Sequence, residues 1–291
     1  MDLKENGCSM MTNKVNYKLI SQNKKIILHI ALILVSVVMI LPFLWMFLTA
    51  FKTQTEVTQI NPFVFFPKKF QTEAFVNVFH NYDWILLYTN TLLFMFWRCI
   101  CAVVTASMAG YAFGRLKFRG KNIAFSLVLL QMMVPSQIFV IPQYAMVSRL
   151  GLNNTMLSLV FPGLVTAFGT FLLRQVYRNL PKELEEAAIL DGCNIGQRFL
   201  FVMAPLTKPA LIALTIFTAL FAYKDLMWPM VVASKKNILT LAPALAKMQG
   251  QFATKYPDLM AAALLASIPM IAVYILFQRK FMASIARTGG K

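Results

Sequence analysis

Apolar residues fall in six long blocks separated by shorter polar segments: Ile26–Leu48, Ile85–Phe113, Ile123–Val147, Thr155–Leu173, Phe199–Tyr223 and Leu259–Gln278. A helix rises about 1.5 Å per residue, so about 20 apolar residues cross the roughly 30 Å of hydrocarbon in a bilayer. The pattern predicts an all-α membrane protein with six transmembrane helices. Four blocks exceed that length and are expected to tilt or to extend past the lipid. The third block holds Pro135 and Pro142 and the sixth holds Pro269. Proline breaks a soluble helix but is tolerated in lipid, where neighbouring spans re-satisfy the freed backbone groups. The first block is too long for a cleaved signal peptide and follows a mostly polar stretch of 25 residues. Residues 1–25 read as a cytoplasmic tail, loose at its start, and residues 26–291 as the transmembrane domain.

Composition agrees with the pattern. The chain is 58% hydrophobic and 13% charged, against about 25% charge in soluble domains, and its hydropathy excludes disorder. The net charge of +17 would suggest nucleic acid in a soluble protein, but here topology accounts for it. With both termini inside, the inner segments hold 18 of the 28 basic residues and the outer segments hold 9, Arg98 within the second span completing the set. That asymmetry favours cytoplasmic termini and leaves no need for a nucleic-acid partner. Cys8, Cys99, Cys101 and Cys193 have neither disulfide-framework nor zinc-site spacing.

The loops carry more specific signals. In the outer loop Thr49–Trp84, the run Phe63, Val64, Phe65, Phe66, Pro67 suits either a short element on the lipid surface or a docking site for a partner. Trp84 and Tyr88 stand where an interfacial aromatic belt would. A short amphipathic helix is expected over Leu239–Gln249, capped by Thr240, with Pro243 near its start.

The inner loop 178–199 is the most structured. Pro181 suits a first helical turn, and Glu183, Glu185 and Glu186 place negative charge at a helix N-terminus. Leu184, Ala187 and Ala188 stand at i, i+3 and i+4 and form one small apolar face. Gly192 suits a C′ stop, and Asn194 with Gln197 makes a capping-box pattern for a second helix. A helix this short has little stability of its own, which suits a knob held against a partner as well as a plain surface helix.

Within the spans, Ala106, Gly110 and Gly114 lie four apart, so small residues share one helix face and permit close approach. Arg98 is a charge in a span, which is expensive and expected to face protein or water. The apolar blocks contain no acid, so its partner is expected on another chain. Gln131, Ser136, Gln137 and Gln143 in the third span are further candidates for a polar pathway, or for helix-to-helix contacts. No phosphate-binding Gly-x-x-x-x-Gly-Lys-Ser/Thr loop occurs. His29 and His80 are isolated, and no residue set suggests catalysis or a metal.

Glu186-Ala187-Ala188, Asp191-Gly192 and Pro205 resemble the EAA loop of ABC-importer permeases. The likeness extends from about Ile26 to Lys291, through Ala109–Arg115, Val134-Pro135, Ile141–Tyr144, Leu150–Thr155, Phe171–Gln175, Leu226–Pro229, Leu259–Ala262 and Phe277–Phe281. The chain resembles the sugar-type inner-membrane permeases, in particular the six-span partner similar to the smaller maltose permease subunit. Departures are Cys193, where the family most often has alanine, and Ala222-Tyr223-Lys224-Asp225, in place of a commoner Trp-Asn-Asp lead. The resemblance implies a type I permease fold and pairing with a second homologous permease. Two ATPase subunits would bind the ATP and a solute-binding protein outside would deliver substrate, while this chain holds no cofactor and catalyses nothing. Leu184, Glu185, Glu186, Ala187, Ala188, Asp191 and Gly192 would be the ATPase-coupling residues. Asp191 is expected to cap the second helix, and Pro205 and Pro209 to bend the fifth span. Sugars or oligosaccharides are the leading substrates, with polyols and glycerol phosphate esters behind. The alternative from another class is a secondary transporter or channel, but no inverted repeat and no midplane carboxylate is visible.

Overall fold

The computed structural model describes the backbone over residues 5–250 and 254–288, with side chains over 24–250 and 254–275. The residues Phe277–Phe281 of the resemblance lie outside the described side chains. Three helices are long and apolar enough to span a bilayer as they stand: Lys24–Ala50, Trp84–Arg115 and Tyr256–Ile275. Three more candidates are helix pairs bent by 102°, 49° and 78°, giving up to six spans if each pair is one. The third, fourth and fifth apolar blocks are therefore bent helix pairs; a bend was expected only in the fifth, at Pro205 and Pro209.

Each break follows from its residues. In the third block α5 (Lys121–Met133) ends at Val134, whose extended backbone is what a following proline imposes. A single tight turn over Ser136–Phe139 then leads into α6 (Val140–Arg149). In the fourth, α7 (Met156–Val160) and a turn at Phe161–Gly163 precede α8 (Ala167–Asn179), which Thr166 caps by accepting from the Gly169 N–H at 3.2 Å. After α9 (Glu183–Leu190), the fifth block opens with α10 (Ile195–Gln197), a π-helical stretch over Arg198–Met203 and α11 (Ala204–Leu206), and resumes as α12 (Lys208–Tyr223). Pro205 has no N–H for the carbonyl of Phe201, and Pro209 none for that of Pro205, so the regular ladder fails on both sides of Thr207.

The described residues form two compact units. One runs up to Val78 and includes Lys255–Leu265; the other comprises Phe79–Thr254 with the chain from Ala266 on. The start of the expected tail lies outside the described residues; in the first unit, α1 spans Glu5–Ala50. Its side chains from Ile26 to Phe43 are exposed, as befits a helix whose surroundings are membrane. Beyond it, α2 (Gln54–Thr58) opens with a capping box. Thr53 accepts from the Glu56 N–H, and the Glu56 carboxylate accepts from the Thr53 N–H at 2.9 Å. The backbone N–H groups of Thr53 and Lys68, both donating to it, hold the Glu56 carboxyl below its usual value. The Phe-rich run packs on the end of α1: Phe63 stacks on Trp45 at 5.5 Å, and the buried Lys52 donates to the Val64 carbonyl at 2.7 Å.

The chain passes from the first unit to the second within α3 (Glu73–Asn81); in the second, α4 (Trp84–Arg115) is the axis on which α8 and α12 pack. The contact is through small residues. A Cβ on Gly110 would lie 2.8 Å from the Leu173 Cβ, one on Gly114 3.1 Å from the Tyr177 Cβ, and one on Gly169 2.9 Å from the Ala106 Cβ. Ala106, Leu173 and Tyr177 are fully buried there, with Tyr111, Met203 and Leu214 around them. Trp84 is buried rather than facing an interface.

The segment after α12 folds back on the bundle. α13 (Met227–Val232) sends the Trp228 indole N–H to the Ser158 carbonyl at 2.8 Å. The Asn90 amide donates to the carbonyls of Asn237 and Leu239. α14 (Leu241–Met248) forms where a short helix was expected, but Thr240 does not cap it with its side chain. Thr91 Oγ1 accepts from the Leu241 N–H at 3.0 Å instead, so a neighbouring helix satisfies the orphan donor. α15 (Tyr256–Thr288) is the last helix.

Candidate functional site

The loop after α8 builds the knob outlined by its sequence, with three corrections. Pro181 lies before the helix: Lys182 is the N-cap and α9 starts at Glu183. Asp191 does not cap the second helix; it closes α9, while Asn194 and Gln197 form a reciprocal capping box for α10 at 2.9 Å each way. Gly192 has φ +77° and donates to the Ile189 carbonyl, and Cys193 donates to that of Ala188. These two bonds are a Schellman closure, which requires the left-handed conformation glycine adopts at no steric cost.

The third correction concerns the apolar face. Ala188 is 5% exposed and turns into the chain's own core, while Ala187 is exposed. The outward apolar surface is Leu184, Ile189 and above all Leu190, which is 88% exposed. Ile189 and Leu190 escape an i, i+3, i+4 reading because they lie past the face that pattern picks out. Glu183 and Glu186 are exposed, but Glu185 is not a surface charge. Its carboxylate accepts from the Tyr111 hydroxyl at 2.8 Å and from Arg198 at 3.4 Å, and lies 3.9 Å from Arg115. α9 is thereby braced against α4 and the π-helical stretch at once. The burial of three charges in one cluster is tolerable because each has a hydrogen-bonding partner: Arg115 also donates to the Leu180 carbonyl.

A second site lies at mid-bundle. A cleft of about 540 Å³ is lined by Arg98, Gln131, Gly163, Phe168, Phe217 and Thr218, among others. It brings Arg98 and Gln131 together; Ser136, Gln137 and Gln143 do not line it. Ser136 and Gln137 are exposed on the turn after the first break, and Gln143 is half-buried on α6. Arg98 is paired within this chain, contrary to the expectation of a partner elsewhere: its Nη1 lies 2.6 Å from Asp225 Oδ2, both side chains being 18% exposed. Asp225 stands two residues past the fifth apolar block, and the packing of α12 on α4 brings that end beside Arg98. Gly163 is part of the same arrangement, since a Cβ there would lie 2.6 Å from the Arg98 Cγ and Nε. Among the described residues, no group of three or more His, Cys, Asp or Glu could hold a metal.

The span residues from Ala102 onward, the braced knob and the last helix all fall within a single family match. Residues 102–287 match the binding-protein-dependent transport system inner membrane component. The chain belongs to this family. The permease is 29% identical over 270 residues to the arabinooligosaccharides transport system permease protein of Halalkalibacterium halodurans, covering 91% of this chain and 96% of that one. It is 30% identical over 202 residues to the protein of that description in Bacillus subtilis, covering 69% and 72%. The sn-glycerol-3-phosphate transport system permease protein of Pectobacterium atrosepticum is 29% identical over 202 residues, with 69% and 72% covered. Among solved structures, a bacterial ABC transporter involved in the import of the acidic polysaccharide alginate superposes with a TM-score of 0.74 at 22% identity, covering 87% of this permease and 95% of that chain. That likeness establishes the all-α, multi-span importer fold. This permease is a multi-pass membrane subunit of an ABC import system and is not itself an enzyme.

Proposed function

We propose that the permease imports sugars or oligosaccharides, forming the membrane pathway with a second, homologous permease. Two ATPase subunits bind and hydrolyse ATP beneath the pair, and an extracytoplasmic solute-binding protein delivers the substrate. The names of the relatives support the substrate class, since several are oligosaccharide or sugar permease proteins. Both termini are cytoplasmic in this reading, on the strength of the lysine and arginine asymmetry. The transmembrane domain is residues 26–291, with residues 178–199 as the coupling loop.

The observation that carries the proposal is the knob. α9 is anchored by Ala188 and Glu185, leaves Leu184 and Ile189 exposed at the edges of that anchored face, and points Leu190 away from it. A protruding leucine on a well-braced short helix suits docking into a cleft of an ATPase. Closure of the ATPase pair on ATP would then pull the knobs together, and the loaded binding protein would bias the same two-state equilibrium from outside. Mid-bundle, the Arg98 and Gln131 cleft combines aromatic faces with hydrogen-bonding groups, a mixture suited to a hydroxylated solute.

Leu190→Glu tests the coupling reading. Leu190 makes little contact within the chain, so the variant should insert and fold normally. The ATPase subunits should wash off the purified permease pair, and ATP-driven uptake should fall at least tenfold. Retained ATPase subunits with unchanged uptake would sink the proposal. Transport by the chain alone under an ion gradient would favour a secondary transporter.

A further inference from the structure

We infer that Lys121, Arg174 and Arg178 form a binding site for a phosphate group, supplied by the headgroup of an anionic phospholipid. The three cations come from two helices: Lys121 opens α5, and Arg174 and Arg178 stand one turn apart at the end of α8. The two helices pack together, and Arg174 lies on the ring of Phe125, one turn from Lys121 along α5. Among the described residues the ion pairs are Arg98–Asp225, Arg115–Glu185 and Arg198–Glu185, so no carboxylate answers this cluster.

Two of the cations are held in place. The Arg174 Nε donates to the Phe113 carbonyl at 3.1 Å, and its guanidinium carbon sits 3.7 Å from the centre of the Phe125 ring. The Lys121 Nζ donates to the Leu116 carbonyl at 2.8 Å. These bonds fix the orientation and leave both Nη groups of Arg174, two donors of Lys121 and the exposed Arg178 fork free for a ligand. The carbonyl ends of α4 and α8 make the concentration of positive charge tolerable but cannot themselves bind an anion. Planar guanidinium forks match the oxygens of a phosphate, and several such forks around one point suit a tetrahedral anion better than a single carboxylate.

Depth identifies the source. Ile123, two residues after Lys121, is 73% exposed, and Leu127 is 61% exposed on the same face of α5. We assign that face to the hydrocarbon, which puts Lys121 about 3 Å above it along the helix axis, at the level of headgroups. Phe118, 45% exposed in the adjoining turn and packed on Phe113, supplies an aromatic at the same boundary. The inference rests only on the membrane setting of the chain, and a lipid count does not read uptake, so it can fail while the coupling proposal stands, or the reverse.

The test is native mass spectrometry of the purified full chain in detergent, mixed with equal amounts of phosphatidylglycerol and phosphatidylcholine. Phosphatidylglycerol should be retained selectively. Each cation near an anionic headgroup strengthens binding about fivefold, so Arg178→Gln should weaken retention about fivefold and Lys121→Gln with Arg178→Gln about twenty-five-fold. Lys247→Gln, elsewhere in the chain, should change nothing. Arg178 is exposed, so its loss leaves the packing intact. Equal retention of the two lipids would overturn the inference and point to an acidic protein partner. An equal effect of Lys247→Gln would mean non-specific attraction and overturn it too. Displacement of phosphatidylglycerol by inorganic phosphate would reassign the site to a soluble phosphate and overturn the lipid source.

Discussion

Gly192 and Arg98 show how single positions are committed by their surroundings. Gly192 holds φ +77° and donates to Ile189; proline can adopt neither the angle nor the bond. Gly192→Pro should leave the chain inserted but misplace α9, so that ATP hydrolysis stimulated by the binding protein no longer drives uptake. Coupled ATPase and uptake assays on reconstituted complex check this, and normal values for both would refute it. Arg98 and Asp225 are an ion pair largely removed from water. Breaking a buried pair on one side costs about 3–5 kcal/mol because the other charge is stranded. Arg98→Leu should therefore reduce the yield of assembled complex, Arg98→Lys should recover part of it, and Arg98→Asp with Asp225→Arg should recover more than either single change. No recovery in the exchanged pair would mean that the contact is incidental. The glycine was legible in the sequence because its neighbours spell out a helix stop. The partner of Arg98 was not, because Asp225 lies 127 residues away and outside the apolar blocks. Only the packing of α12 on α4 joins the two.

Among the elements, the α4 and α8 contact is the one whose sequence signal and geometry are closest. Ala106, Gly110 and Gly114 lie at successive turns, and the facing residues are Gly169, Leu173 and Tyr177. Without a hydrophobic driving force between helices in lipid, such close approach is where packing energy is gained. Gly110→Val would place its branch against the Leu173 Cβ and the Arg174 backbone, neither of which is a flexible tip. Overpacking of this kind costs about 1–3 kcal/mol, and the apparent melting temperature of the purified chain should fall by several degrees, read by a thermal shift assay. An unchanged transition would show that the helices part easily. The breaks were less legible. Pro135, Pro205 and Pro209 announce irregularity, but lipid tolerates prolines in unbroken spans, so the sequence alone leaves kink and break open. The 49° bend before Ala167 has the weakest signal, its residues being an ordinary apolar run around Pro162 and Gly163. The returning segment with α13 and α14 was hidden for a different reason: its buried contacts are backbone carbonyls to which Asn90 donates and a backbone N–H from which Thr91 accepts, and no periodicity encodes those.

For the whole molecule, hydropathy marked six candidate spans in order, of which three stand as single helices and three as bent pairs, and the EAA-like loop pointed to the family that the match over residues 102–287 shows. What the chain's own sequence could not give is which sides of α9 face inward. The i, i+3, i+4 rule grouped Ala188 with Ala187, yet the brace at Glu185 turns Ala188 into the core. A cation at Ala188 would thus disturb this chain before it could disturb a partner, which is why the docking test uses Leu190.

The brace has one more implication. Tyr111, which holds Glu185, also packs edge-on against Tyr177 at 5.6 Å; Tyr177 bonds Ser107, and its hydroxyl lies 3.4 Å from the hydroxyl of Thr207, where the fifth span turns. Through this hub, displacement of the knob is expected to carry α12 with it. Loosening that hub should leave each half of the cycle able to run but let them slip past one another. Tyr177→Ala should show this as a rise in ATP consumed per molecule of substrate imported, with the hydrolysis rate itself largely kept. A proportional fall in both rates, at a constant ratio, would mean that the hub only supports the fold.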